Sequence, residues 1–150
     1  MDEVDVITRV VIDRPVGDVS SFASDPDNAT RWYVNIRSVK WLTPRPIQVG
    51  TKVVFVAKFL GKELEYVYEV TNFLPERELT MKTSQGPFPM QTTYSWESTD
   101  TNATLMILRN TGSPRGFSRV VSPFMSYAMK RANTKDLQRL KALMERKTAS

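Results

Sequence analysis

The stretch VVIDRPVGDVSSFASDPDNATRWY, residues 10–33, decides the fold. It opens on a β-branched run that reads as a strand from Val4 to Asp13, with Val6, Thr8, Val10 and Ile12 on one face and Asp5, Ile7, Arg9 and Val11 on the other. Pro15 ends that strand, because proline brings no ladder donor and restricts the residue before it. Val16 to Ala23 then reads as a short helix with Val19 and Phe22 on its buried side. Asp25-Pro26 is a capping residue followed by proline at the first helical position, so a second short helix carries Asn28 to Trp32. Two short helices therefore follow the first strand.

Downstream, turn signals separate six further strands: Ile36–Leu42, Thr51–Leu60, Glu63–Phe73, Arg77–Thr83, Pro89–Ser98 and Ala103–Thr111. Leu60-Gly61-Lys62 is a tight hairpin signal, Leu74-Pro75-Glu76 and Gly86-Pro87 break the chain, and Thr99-Asp100-Thr101-Asn102 is a polar turn. Such short connections predict an antiparallel meander. Val53, Phe55, Ala57 and Phe59 share one face; so do Leu64, Tyr66, Tyr68 and Val70, and so do Met90, Thr92, Tyr94 and Trp96. The opposite parities carry Glu63, Glu65, Glu69 and Glu97, so one face of the sheet is wet and the other covered. The cover comes from the long helical pattern Phe117 to Arg146, where Phe117, Val121, Phe124, Ala128 and Ala132 form a stripe continued by Leu137, Leu140 and Met144. Pro123 lies inside that pattern and predicts a kink or an irregular first turn.

With 150 residues, 41% hydrophobic and 25% charged, residues 1–150 read as one α+β domain. The absence of cysteine excludes disulfides and thiolate chemistry; the absence of histidine removes the commonest general base and metal ligand. No metal or other cofactor is expected: Asp25-Pro26-Asp27-Asn28 lacks calcium-loop spacing, and the six glycines form no phosphate-binding loop. MDEVDVITRV has neither a basic nor an apolar leader region, and no run approaches the roughly 20 apolar residues of a membrane span, so a cytoplasmic location is expected. Of the net charge of +5, residues 115–150 contribute +7 through nine lysines and arginines against two acids. That segment reads either as a solvated helix face or as a weak contact for an acidic surface. A nucleic-acid role is not expected, since no DNA-reading motif or exposed aromatic interleaving accompanies the cations.

The order strand, two short helices, six strands, long helix, together with VVIDRPVGDVSSFASDPDNATRW, GTKVVFVAKFLGKELEYVYEVTNFLPERELTMKT and ANTKDLQRLKALME, resembles the START-like helix-grip superfamily (SRPBCC), and within it the bacterial polyketide cyclase/dehydrase-type proteins. The resemblance implies a curved antiparallel seven-stranded sheet wrapped around a long C-terminal helix. It also implies a cavity between the two, with the short helices as a cradle at its rim. Trp32 then stands either at that rim or as an apolar plug between cradle and sheet.

The covered faces are rich in aromatic and thioether side chains, which suit either a solid core or a small-molecule pocket; the resemblance favours the pocket. The candidate ligand-binding residues are Trp32, Trp41, Phe55, Phe59, Tyr66, Tyr68, Met81, Met90, Thr92, Tyr94, Trp96, Phe117, Val121, Phe124 and Met125. Inward polar groups, Thr8, Tyr66, Tyr68, Thr83, Thr92 and Tyr94, are hydrogen-bonding groups and not strong bases. Arg109 and Arg119 suit either a cavity mouth or surface ion pairs. The expected function is binding of a small hydrophobic, lipid-, polyketide- or aromatic-like ligand by a monomer or homodimer. The alternative is a cyclase, aromatase or dehydratase acting by positioning and hydrogen bonding, and against it stands the lack of an inward carboxylate on the strands.

Overall fold

The computed structural model describes residues 4–59, 61–85, 89–112 and 122–146. Among the sequence candidates, Phe117, Arg119 and Val121 lie outside the described residues, as do the side chains of Phe59, Phe124 and Met125.

Strand β1, Val4–Ile12, alternates buried and exposed along its whole length and stops one residue short of the expected end. After it come α1, Val16–Ser24, a 3₁₀ turn at Pro26–Asn28, and α2, Ala29–Trp32. Asp25 caps the turn as expected, its carboxylate accepting from the Asp27 amide at 3.0 Å. The remaining strands are β2 (Ile36–Trp41), β3 (Lys52–Phe59), β4 (Lys62–Leu74), β5 (Glu78–Gln85), β6 (Met90–Ser98) and β7 (Thr104–Gly112). They form one open, fully antiparallel sheet in the order β1-β7-β6-β5-β4-β3-β2. Only the β1–β7 pairing joins strands distant in sequence, so the first strand closes onto the last and the rest is the expected meander. Gly112, opposite Met90, is held by close approach: a Cβ there would stand 2.7 Å from the Pro89 carbonyl oxygen.

Helix α3, Ser122–Arg146, spans 25 residues, about 37 Å at the α-helical rise, and lies mainly along β1. Its C-terminal half is pinned there: Lys141 Nζ donates to the Val11 carbonyl at 2.9 Å, Glu145 accepts from the Asp13 amide at 2.9 Å, and Arg14 donates to the Met144 carbonyl at 2.9 Å. Arg14 thereby places a cation at the negative end of the helix. The kink expected at Pro123 concerns the chain before Ser122, which lies outside the described residues. Leu137, Leu140 and Met144 are fully covered, as the stripe predicted, but farther up the helix the covered line runs through Met129 and Asn133, with Ala128 and Ala132 only half-buried. A strict four-residue stripe drifts around a helix of 3.6 residues per turn, whereas 129, 133, 136, 140 and 144 mix steps of three and four and hold one face.

The core joins Ile12, Val19, Trp32, Leu79, Met106 and Leu108 to the lower part of α3. Register shifts interrupt β2 at Ile36/Ser38 and the β4–β5 ladder at Val67/Tyr68 and Val70/Asn72. Past the last of these the inward parity changes from even to odd numbers, and Phe73 joins the core. No helix among the described residues is long and apolar enough to cross a membrane.

Candidate functional site

Between the sheet and the upper half of α3 the core does not close, and a cavity of about 140 Å³ remains. Alternation on four neighbouring strands builds its apolar wall: Phe55 and Ala57 from β3, Leu64, Tyr66 and Tyr68 from β4, Met81 from β5, and Met90 from β6. Phe55 and Tyr68 meet edge to face at 5.7 Å, and Tyr66 and Tyr68 stand 5.9 Å apart. Met129 and Ala132 close the helix side.

The opposite end is polar. Tyr33, which ends α2, and Tyr94 on β6 share a hydrogen bond of 2.7 Å between their hydroxyls. Thr92 donates to Asn110 at 2.6 Å within the same wall. From α3, Asn133 and Asp136 line the cavity at 6% and 2% exposure. One oxygen of Asp136 accepts from the Val34 amide at 2.8 Å, tying the helix to the segment that presents Tyr33 and Asn35. Asn133 Nδ2 has no partner among the described residues.

Burial dominates the ionisation behaviour of this end. It raises the Asp136 carboxyl from 3.8 to about 7, against the smaller opposing effects of the Val34 amide and the Arg139 guanidinium. It also lifts the phenols of Tyr33, Tyr66, Tyr68 and Tyr94 above their ordinary value, so all four are protonated at neutral pH. The site therefore holds neutral hydrogen-bonding groups and one carboxyl that changes charge near pH 7, the range in which proton transfer is efficient.

The sequence candidates separate into those that line the cavity and those that do not. Phe55, Tyr66, Tyr68, Met81, Met90, Thr92 and Tyr94 line it together. Trp32 takes the plug position: it is fully buried and backs the tyrosine pair, 4.2 Å from Tyr33 and 5.7 Å from Tyr94 between ring centroids. Trp96 lies two residues beyond Tyr94, buried in the core. Trp41, on the edge strand, donates to Asp27 at 2.8 Å beneath the Arg45 guanidinium and fastens β2 to the 3₁₀ turn. Arg45 pairs with the same Asp27 carboxylate and holds it below the usual carboxylate range. Arg109 is on the outer face, bound through two nitrogens to Asp5 at 3.0 and 2.8 Å, and not at the cavity. Thr83 is spent on the Met90 amide at 2.9 Å.

Reading only the strands also missed the carboxylate. The cavity does contain one, and it comes from the helix: Asp136 lies four residues from both Ala132 and Leu140 and so interrupts an apolar stripe with an acid. That interruption was the available signal. For Tyr33 and Asn35, in the short connection after α2, there was none.

A search of curated protein sequences finds no match. Among solved structures, the Zhui aromatase/cyclase of a Streptomyces species superposes with a TM-score of 0.82 at 14% identity, covering 97% of this chain and 96% of that one. A START superfamily protein of Mycobacterium smegmatis gives 0.82 at 14% identity, covering 95% and 97%. The ginseng major latex-like protein 151 of Panax ginseng gives 0.73 at 13%, covering 96% and 99%. At such identities these likenesses establish the shared fold. The family described as polyketide cyclase / dehydrase and lipid transport matches residues 3–145, nearly the whole chain, and the protein belongs to it.

Proposed function

We propose that the protein encloses a small, mostly apolar molecule in the cavity between the sheet and α3. The observation that carries this reading is the cavity itself, walled by aromatic and methionine side chains with polar groups gathered at one end. At about 140 Å³ it matches the roughly 150 Å³ that suffices for benzene in an apolar site. Titration with toluene, followed through the methyl resonances of Met81, Met90 and Met129, tests the proposal. One molecule bound per chain with those methyls shifted, and loss of binding in Ala132→Phe, which fills the space, is the expected result. Unshifted methyls at saturating toluene would overturn it.

A second, catalytic reading is favoured by Asp136, a buried carboxyl poised at about 7 beside the neutral donors Asn133 and the Tyr33–Tyr94 pair. Such a group can take a proton from carbon next to a carbonyl while a donor holds the developing enolate oxygen, and can then return it. In D₂O the protein would then speed deuterium incorporation into the methyl group of acetophenone, and Asp136→Asn would abolish the acceleration. Exchange equal in both proteins leaves binding as the function.

A further inference from the structure

Two groups in the cavity wall are left with unmet hydrogen-bonding capacity, and they are neighbours. Asn133 and Asp136 are three residues apart on α3, which puts their Cβ atoms roughly 5–6 Å apart on one face. Both are more than nine-tenths buried. The Asn133 amide nitrogen is a donor with nothing to donate to among the described residues. Asp136 uses one oxygen on the Val34 amide, and its other oxygen has no hydrogen bond among the described residues. Buried polar groups are nearly always satisfied, so a donor and an acceptor left open side by side in a cavity point to a ligand that completes them.

A ligand that completes both needs an acceptor for Asn133 and a donor for Asp136, set on nearby positions that do not bond each other. A carbonyl and a hydroxyl in meta relation on one ring meet this requirement. In the ortho relation they bond each other and offer neither group to the protein. The cavity has room for a single ring, which would lie against Phe55, Tyr66, Tyr68 and Met81. No lysine or arginine lines it among the described residues, so nothing there would neutralise an anion.

We propose that Asn133 and Asp136 recognise an uncharged, single-ring hydroxy-carbonyl compound: Asn133 Nδ2 donates to the carbonyl oxygen and the hydroxyl donates to the free carboxyl oxygen of Asp136. The assignment rests on the cavity being a ligand chamber and adds to it the class of ligand.

Calorimetric titration of the full chain with meta-hydroxyacetophenone, ortho-hydroxyacetophenone, acetophenone and toluene tests it. The meta compound is expected to bind about tenfold more tightly than the ortho isomer and than toluene, the gain of one good hydrogen bond to a charged or buried group. In Asn133→Leu and in Asp136→Asn, the second of which keeps an acceptor for the Val34 amide, its advantage over toluene would shrink about tenfold. Equal affinity for all four compounds, or an advantage untouched by both substitutions, overturns the recognition pair while the chamber stands. Binding of none of them, toluene included, overturns the chamber and the pair with it. Equal affinity for the four compounds on the unaltered chain overturns the pair even where a variant fails to fold.

Discussion

At the scale of single residues, Asp136 has the strongest consequences. Its carboxyl is raised in the folded protein, so the native state holds the proton more tightly than the unfolded chain does. The associated stability is complete below the ordinary carboxylate value of 3.8 and is lost as pH rises through about 7. The shift corresponds to on the order of 4 kcal/mol over that window. Asp136→Asn removes the titration but keeps an oxygen for the Val34 amide. Relative to the parent, the variant should therefore gain stability between about pH 4 and pH 7 in denaturant titrations and level off above that. A constant difference across that range would show that the carboxyl is not held neutral by burial. Asp5 and Asp27 have the opposite sign, since Arg109 and Arg45 hold them below the usual range; comparing variant with parent at each pH cancels their contribution.

Among the elements, α3 does two jobs along its length. Below Asp136 it is a core element: Leu137, Leu140 and Met144 are sealed against the sheet, and Lys141 and Glu145 bind the end of β1. Above it the helix is a cavity wall, with Met129, Ala132 and Asn133 among the lining residues and Met129 also packed with Val4, Val6 and Met90. Leu140→Ala, a truncation in the sealed half, should cost about 2–5 kcal/mol of unfolding free energy, whereas Gln138→Ala on the exposed face should stay within about 0.5 kcal/mol. Equal effects in urea melts would mean that the lower half of α3 does not anchor the core. Lys130, Arg131, Lys135, Arg139 and Arg146 are exposed on the same helix, and none of these cations lines the cavity.

For the molecule as a whole, the cavity is an energetic liability. Apolar walls that face space forgo the dispersion contacts they would make with packed side chains, so keeping about 140 Å³ open opposes folding. The rest of the core shows that the chain can close such gaps: Trp32, Ile12, Leu79, Met106 and Leu108 leave no accessible surface. Space kept open beside so well filled a core, and lined at one end by hydrogen-bonding groups, is what a binding chamber requires.

The order of elements and the covered face of the sheet are legible in the residues alone. These follow from local rules: Pro15 stops a strand whatever surrounds it, Asp25-Pro26 caps a turn by its own side chain and ring, and a two-residue alternation assigns faces one strand at a time. The same rules identified Phe55, Tyr66, Tyr68, Met81, Met90, Thr92 and Tyr94 as inward residues of their strands, and these share one cavity. Only the tertiary structure decided which buried residues face space and which face each other. Trp32, Trp41 and Trp96 are as apolar as the lining residues, yet each packs in or against the core and stays out of the cavity. The polar end was likewise beyond local reading, because it is assembled from α2, β6, β7 and α3, elements far apart in the chain. Asp136 acquires its raised carboxyl from that assembly, since burial is a property of everything packed around a group and of no segment alone.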